Sequence, residues 1–207
     1  TCFGQTEVPQ ITICMRASEW RDPQNYASTG RATLLTQIGI MDGDGQLLGP
    51  DEMGEIVLSG DLIMTGYYKM PDKTAETIID GWLHTGDIGY IDSRGYVFIK
   101  DRIRDVVITG GFNVYPSDVE AVLGRHPDIR ECVVFGVANA KWGEAVHAAV
   151  ELHDGANTGP ADIIEFVKQQ LDSVKAPKEV HITQSLPRSP VGKVLRRAAK
   201  ELFVEGW

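Results

Sequence analysis

Cysteine is scarce in this chain: Cys2, Cys14 and Cys132 are the only three in 207 residues. None forms a C-x-x-C pair or a Cys/His cluster with zinc spacing, which excludes a zinc ribbon and a disulfide-built scaffold. A reduced, cytoplasmic setting is the expectation. Long apolar runs are also missing; none approaches the ~20 residues needed to cross a bilayer. Basic residues are in deficit, 20 Lys and Arg against 29 Asp and Glu, for a net charge of -9. A chain that neutralises many phosphates carries the opposite sign, so no nucleic-acid partner is expected. The start, "TCFGQTEVPQ", has no initiator Met and no basic segment followed by an apolar stretch. It does not read as a signal peptide, and the chain is expected to be a piece of a longer protein.

What is present is an ordinary globular composition, 43% hydrophobic and 24% charged. The first hundred residues are rich in turn signals and read as mostly antiparallel β. "IGIMDGDGQLLG" predicts a strand, an Asp/Gly turn and a return strand; "GEIVLSG" predicts a short strand. "GYIDSRGYVFIKDR" predicts a hairpin turning at Asp92-Ser93-Arg94-Gly95, and "PDKTAETIIDGW" a short helix ended by Gly81. After "KDRIRD" the pattern changes. "YPSDVEAVLGRHP" reads as a helix with Ser117 as N-cap and Glu120 completing a capping box, stopping at His126-Pro127. "RECVVFGVA", "AVHAAVEL" and "EVHIT" read as strands. "GPADIIEFVKQQLDSV" places Ile163, Val167 and Leu171 on one helical face, and "KVLRRAAKELF" reads as a final amphipathic helix. The fold class expected is α+β. Residues 1–103 form the antiparallel β-rich end of a larger domain, and residues 104–207 a small domain of a three-stranded sheet plus helices.

Four stretches carry candidate chemistry, each beside a plainer structural role. In "FGQTE" a hydroxyl and a carboxylate, Thr6 and Glu7, suit Mg²⁺ near a phosphate, since that ion takes oxygen ligands and shares them with nucleotides; the alternative is a strand-end turn. In "GWLHTGDIGY", Asp87 can accept hydrogen bonds from both hydroxyls of a ribose, or cap a turn. In "KDRIRDVVITGGFNVYPSDVE", Arg102 offers a planar fork to ribose or phosphate, or a hairpin-end salt bridge. Gly110-Gly111 lets a backbone approach a ligand, or simply turns a hairpin. In "LPRSPVGKVLRR", Lys193 is followed by Val194 where a phosphate loop needs Ser or Thr, so that motif fails. Locally Lys193 reads as a solvated lysine.

The order and spacing of these four stretches resemble the C-terminal portion of the adenylate-forming superfamily: acyl- and aryl-CoA synthetases, peptide-synthetase adenylation domains and beetle luciferases. The resemblance covers essentially the whole chain and extends to "GEIVLSGDLIMTGYYKMPDKTAE", "KWGEAVHAAVEL" and "KAPKEV". It implies that Phe3 packs on adenine, Thr6 contacts phosphate, Glu7 helps hold Mg²⁺, and Asp87 and Arg102 bind the ribose. It further implies a hinge at Arg104, where relatives carry Lys or Asp. Lys193 becomes the lysine of adenylate formation, and the Gly110-Gly111 loop lines the pantetheine tunnel. The implied cofactors are ATP/AMP, Mg²⁺ and coenzyme A; the implied partner is a small carboxylic acid, and a homodimer is compatible with the resemblance.

The implied activity is an acid–thiol ligase: a carboxylate and ATP give acyl-AMP and pyrophosphate, then CoA displaces AMP. Two anions must approach in the first step, and positioned cations answer that need. The family's phosphate loop and acyl pocket are expected upstream of Thr1, so the chain by itself is not expected to complete adenylation. An adenylation domain that loads a carrier protein is the alternative, disfavoured by the absence of a carrier-like segment after "ELFVEGW"; a non-catalytic fragment is the other. The context of Lys193 also resembles that of relatives inactivated by lysine acetylation, which would remove the charge.

Overall fold

The computed structural model describes residues 2–205 and divides into two compact units, Thr1–Ile103 and Arg104–Trp207. Among the described residues no helix is long and apolar enough to cross a membrane.

The first unit holds two sheets. Strands β1 (Cys2–Gln5), β2 (Val8–Cys14) and β3 (Arg31–Ala32) form a three-stranded antiparallel sheet. The second sheet contains β4 (Gln37–Met41), β5 (Gly54–Ser59), β6 (Ile78–Ile79), β7 (Trp82–Ile91) and β8 (Val97–Arg102). Inward positions alternate along β7, and Leu83 joins Val8, Ile13, Ile40, Ile56, Leu58 and Val97 in the core. The β7–β8 hairpin turns at Asp92–Gly95, where the Asp92 carboxylate accepts the Arg94 and Tyr96 amides. Asp92 is held below the usual carboxylate range because those amides and the Arg94 guanidinium outweigh its burial.

Two local expectations are corrected. The return strand after Asp42–Gly45 reduces to a bridge between Met41 and Leu47, and the long pairing of β4 is with β5. Helix α1 (Pro71–Thr77) ends before Ile78, and Gly81 does not end it. Ile78 and Ile79 pair with Leu83 and Trp82, so Asp80-Gly81 is the turn of a tight hairpin.

The second unit is one mixed sheet with both faces covered. It comprises β9 (Val107–Thr109), β10 (Phe112–Val114), β11 (Ile129–Asn139), β12 (Gly143–Leu152) and β13 (Glu179–Thr183). The class is α+β as expected; the three strands anticipated are joined by the β9–β10 hairpin, making five. All pairs are antiparallel except β12 with β13. Helices α2 (Pro116–Leu123) and α3 (Pro160–Gln170) cover one face through Val119, Leu123, Ile163 and Val167. On the other face Val133, Phe135 and Ala149 pack against Leu186 and Ala199.

Here too the caps differ from expectation. Pro116 occupies the first helical position of α2, which moves the N-cap to Tyr115 and leaves Ser117 inside the helix. Glu120 makes no capping box; its carboxylate accepts the Val134 amide and the Arg196 guanidinium. α2 ends at Leu123, short of His126-Pro127. The final helix α4 starts only at Arg196 and passes at Lys200 into a π-helical turn, Glu201–Glu205. Lys193, Val194 and Leu195 stay outside it because Val194 is bridged to Arg188 and Leu195 is extended, at φ -101° and ψ 99°.

Candidate functional site

In the first unit, Phe3 and Gln5 share one side of β1, and Thr6 and Glu7 form the turn into β2. Phe3 packs half-buried on the core, while Thr6 is exposed. Glu7 is half-buried and accepts a hydrogen bond from the Tyr67 hydroxyl at 2.6 Å, which pushes the Tyr67 hydroxyl's pKa up.

Asp87 occupies an inward position of β7 and is 3% exposed. Arg102 lies opposite it in register on β8, with Nε 2.6 Å from Oδ1. Gln5 Nε2 donates to Oδ2 at 2.7 Å and also to Thr85 O at 3.1 Å. Burial pushes the Asp87 carboxyl above its usual range, and Arg102 and Gln5 offset this only in part. Asp87 is therefore no turn cap: it is a strand residue held from two sides. The hairpin-end salt bridge of Arg102 exists, and its partner is Asp87.

Gln5 was not singled out from the sequence, although the alternation Phe3, Gln5 and the inward series Leu83, Thr85, Asp87 place the two polar groups on facing sides. Tyr67 was equally silent, sitting in "TGYYKMPDK" without a motif of its own. Beside Asp87, Glu55 accepts the Gly86 amide at 2.9 Å and lies 2.8 Å from His84 Nδ1, which fixes the strand just before the carboxylate.

Around the unit boundary, Arg104 belongs to a 3-10 turn, Ile103–Asp105, and is 81% exposed at its side chain, with Nε 3.8 Å from Asp105. In the second unit Gly110 and Gly111 form the two-residue loop of the β9–β10 hairpin, at φ 57° and 83°. Two successive positive φ values define the turn that matches the twist of paired strands and favours glycine. The Gly110 amide donates to Trp142 O at 2.8 Å. Beside this loop lies a cavity of about 690 Å³, whose lining includes Phe112, Trp142, Ile164, Lys168, Pro177 and Lys178. Burial, with Lys168 nearby, lowers the pKa of the Lys178 ammonium.

Lys193 is exposed and lies just past the tip of a second small hairpin. Ser189 accepts the Gly192 amide and donates to Lys193 O, both at 2.8 Å, and Gly192 has φ 85°. This is a three-residue loop closed by a left-handed glycine. Its base is held by Arg188, which reaches Glu131 and, at 3.0 Å, the buried Glu151. Glu151 also accepts the Leu186 amide and the Arg130 guanidinium; these outweigh its burial and hold its carboxyl below the usual range. Arg196, on the far side of the hairpin, binds Asp105 at 2.7 Å and Glu120 at 2.9 Å. Lys193 thus sits between two anchored arginines.

Two family models match the chain: AMP-binding enzyme over residues 1–68 and AMP-binding enzyme C-terminal domain over residues 118–193. A fatty acid–[acyl-carrier-protein] ligase of Streptomyces coeruleorubidus is 46% identical over 202 residues, 97% of this chain and 39% of the relative. A medium/long-chain-fatty-acid–CoA ligase of Mycobacterium tuberculosis is 40% identical over 211 residues, 99% of this chain and 37% of the relative. Among solved structures, ATP-bound MatB from Rhodopseudomonas palustris superposes with a TM-score of 0.91 at 35% identity, covering 98% of this chain and 40% of that one. The chain spans about two fifths of the length of the curated relatives it matches. Both units lie within these matches, and the chain belongs to the adenylate-forming AMP-binding enzyme family, matching its C-terminal portion.

Proposed function

We propose that the whole protein is an ATP-dependent carboxylate–CoA ligase. The observation that carries this reading is Asp87: a buried carboxylate clamped by Arg102 and Gln5, at the position the resemblance assigns to the ribose-binding acid. Burying a charge is costly unless the group is paired and hydrogen-bonded. A buried strand carboxylate kept in that state suits recognition of two vicinal hydroxyls.

The residues divide between two steps. Phe3 supplies an apolar face for adenine, Asp87 and Arg102 hold the ribose, and Thr6 contacts phosphate. Glu7 suits Mg²⁺, which takes one or two carboxylates together with substrate phosphates; when bound, that ion neutralises phosphate charge. In this reading Lys193 serves the attacking carboxylate and the α-phosphate together, so that acyl-AMP forms and pyrophosphate leaves. In the second step the CoA thiol attacks the acyl carbon and AMP departs. The Gly110-Gly111 loop gives the pantetheine arm a wall without side chains, and the neighbouring cavity, with Lys168 and Lys178 on an apolar lining, suits an anionic nucleotide. Residues 1–103 act as the end of the nucleotide-binding domain and 104–207 as the mobile domain, with Arg104 as hinge.

The resemblance to a carrier-protein ligase favours a second acceptor, a phosphopantetheinylated carrier. The test is carboxylate-dependent ATP–pyrophosphate exchange by the whole protein over a panel of acids, followed by transfer to CoA or to a carrier protein. Exchange with thioester formation on CoA is expected. Thioester formation on the carrier alone selects the second reading, and no exchange with any acid overturns both.

A further inference from the structure

His147, Glu179 and His181 form a cluster that none of the roles above uses. β12 and β13 run parallel with His147 opposite Glu179 and Ala149 opposite His181. Side chains two apart share a face, so the two imidazoles and the carboxylate project together from neighbouring strands. One ligand atom from each lies within 4.8 Å of the others. His147 Nδ1 is 3.2 Å from His181 Nε2, and Glu179 oxygens lie 3.9 Å from His147 Nδ1 and 3.7 Å from His181 Nδ1. With zinc–nitrogen bonds of about 2.0–2.1 Å, two nitrogens on one tetrahedral ion are roughly 3.3 Å apart, so the imidazoles are already at ligand spacing.

We propose that His147, Glu179 and His181 form a binding site for a borderline divalent transition cation such as zinc, cobalt or nickel. Two imidazoles and one carboxylate select such ions over Mg²⁺ and Ca²⁺, which prefer all-oxygen sets. The scaffold is rigid. His181 stacks on Phe203 at 5.3 Å and on Phe135 at 6.3 Å, which fixes its ring plane, and both histidines spring from paired strands. The imidazoles are mostly covered, 13% and 17% exposed, whereas Glu179 is 60% exposed and opens the site to solvent. Three protein ligands leave at least one coordination position for water or another small ligand. An ion there ties β12 to β13, the strand that leads into the Lys193 hairpin.

The experiment titrates the metal-free chain with Co²⁺ at pH 7.5, followed by visible absorption, with Zn²⁺ and Mg²⁺ as competitors. The expected result is one equivalent of Co²⁺ with ligand-field bands, displaced by Zn²⁺ and untouched by excess Mg²⁺. His147→Gln and His181→Gln each weaken binding at least tenfold, and His153→Gln leaves it unchanged. Should the histidine variants fail to fold, Glu179→Gln, on an exposed carboxylate, decides: it also weakens binding several-fold. No saturable binding, or binding indifferent to all three substitutions, overturns the proposal.

Discussion

Arg102 and Asp87 face each other in register across β8 and β7, Nε 2.6 Å from Oδ1, and the pair divides unequally between solvent and interior: the arginine side chain is 47% exposed and the carboxylate 4%. The carboxylate bears the desolvation while the guanidinium can still reach a ligand. A raised folded pKa means that Asp87 contributes stability below its ordinary value of 3.8, lost as the pH rises through the folded value. Ionising Asp87 therefore counts against the fold. Asp87→Asn is expected to leave the melting temperature unchanged or raised, and to cut AMP affinity of the whole protein at least tenfold. Arg102→Ala leaves the carboxylate with Gln5 alone and costs about 1–3 kcal/mol in chemical unfolding.

Glu151 has the opposite sign. Its folded pKa is depressed, so its contribution is present above the ordinary value of 4.5 and is lost as the pH falls through the folded value. Glu151→Gln is expected to destabilise the second unit at pH 7 by on the order of 2 kcal/mol. That is below the full cost of breaking a buried pair, since Arg130 and Arg188 remain partly solvated. Unfolding followed from pH 7 to pH 3 should show a flatter decline in the variant than in the wild type.

Cys132 separates from the other thiols. Burial, with Glu120 and Glu131 nearby, pushes its pKa up to about 12, so almost no thiolate exists at pH 8. A disulfide reagent at that pH is expected to modify the exposed Cys2 in the folded chain and to reach Cys132 only after denaturation.

The β9–β10 loop gives a fourth outcome. Gly111 has open space where a side chain would go, so Gly111→Val meets no clash, but it forces a β-branched residue to φ 83° at a cost of about 1–3 kcal/mol. In the whole protein it is expected to slow CoA thioester formation from acyl-adenylate while sparing ATP–pyrophosphate exchange. Half-reaction assays separate the two.

Long alternating or amphipathic segments were legible: the Asp92–Gly95 hairpin, the buried strand around Val134, and the Ile163/Val167 face of α3 each stand where their periodicity puts them. Short elements were not. β9 and β10 are three residues each, too brief for a period, and exist because Gly110-Gly111 turns the chain back on itself. Ser117 looked like a cap because local chemistry cannot tell that Pro116 takes the first helical position, or that Glu120 is claimed by Arg196 from 76 residues away. Asp87 and Lys193 were ambiguous alone, and only their order along the chain supports the roles proposed for them. Gln5, which meets Asp87 across 82 residues, had no sequence signal beyond sharing a strand face with Phe3.

The central claim is that the exposed Lys193, held between the Arg188 and Arg196 anchors, serves adenylate formation alone. The direct measurement is the pair of half-reactions in Lys193→Ala of the whole protein. ATP–pyrophosphate exchange is expected to fall by roughly 10²–10³-fold, the usual loss on removing one transition-state donor, while thioester formation from supplied acyl-adenylate stays near the wild-type rate. Exchange at the wild-type rate, or an equal fall in both half-reactions, contradicts the account.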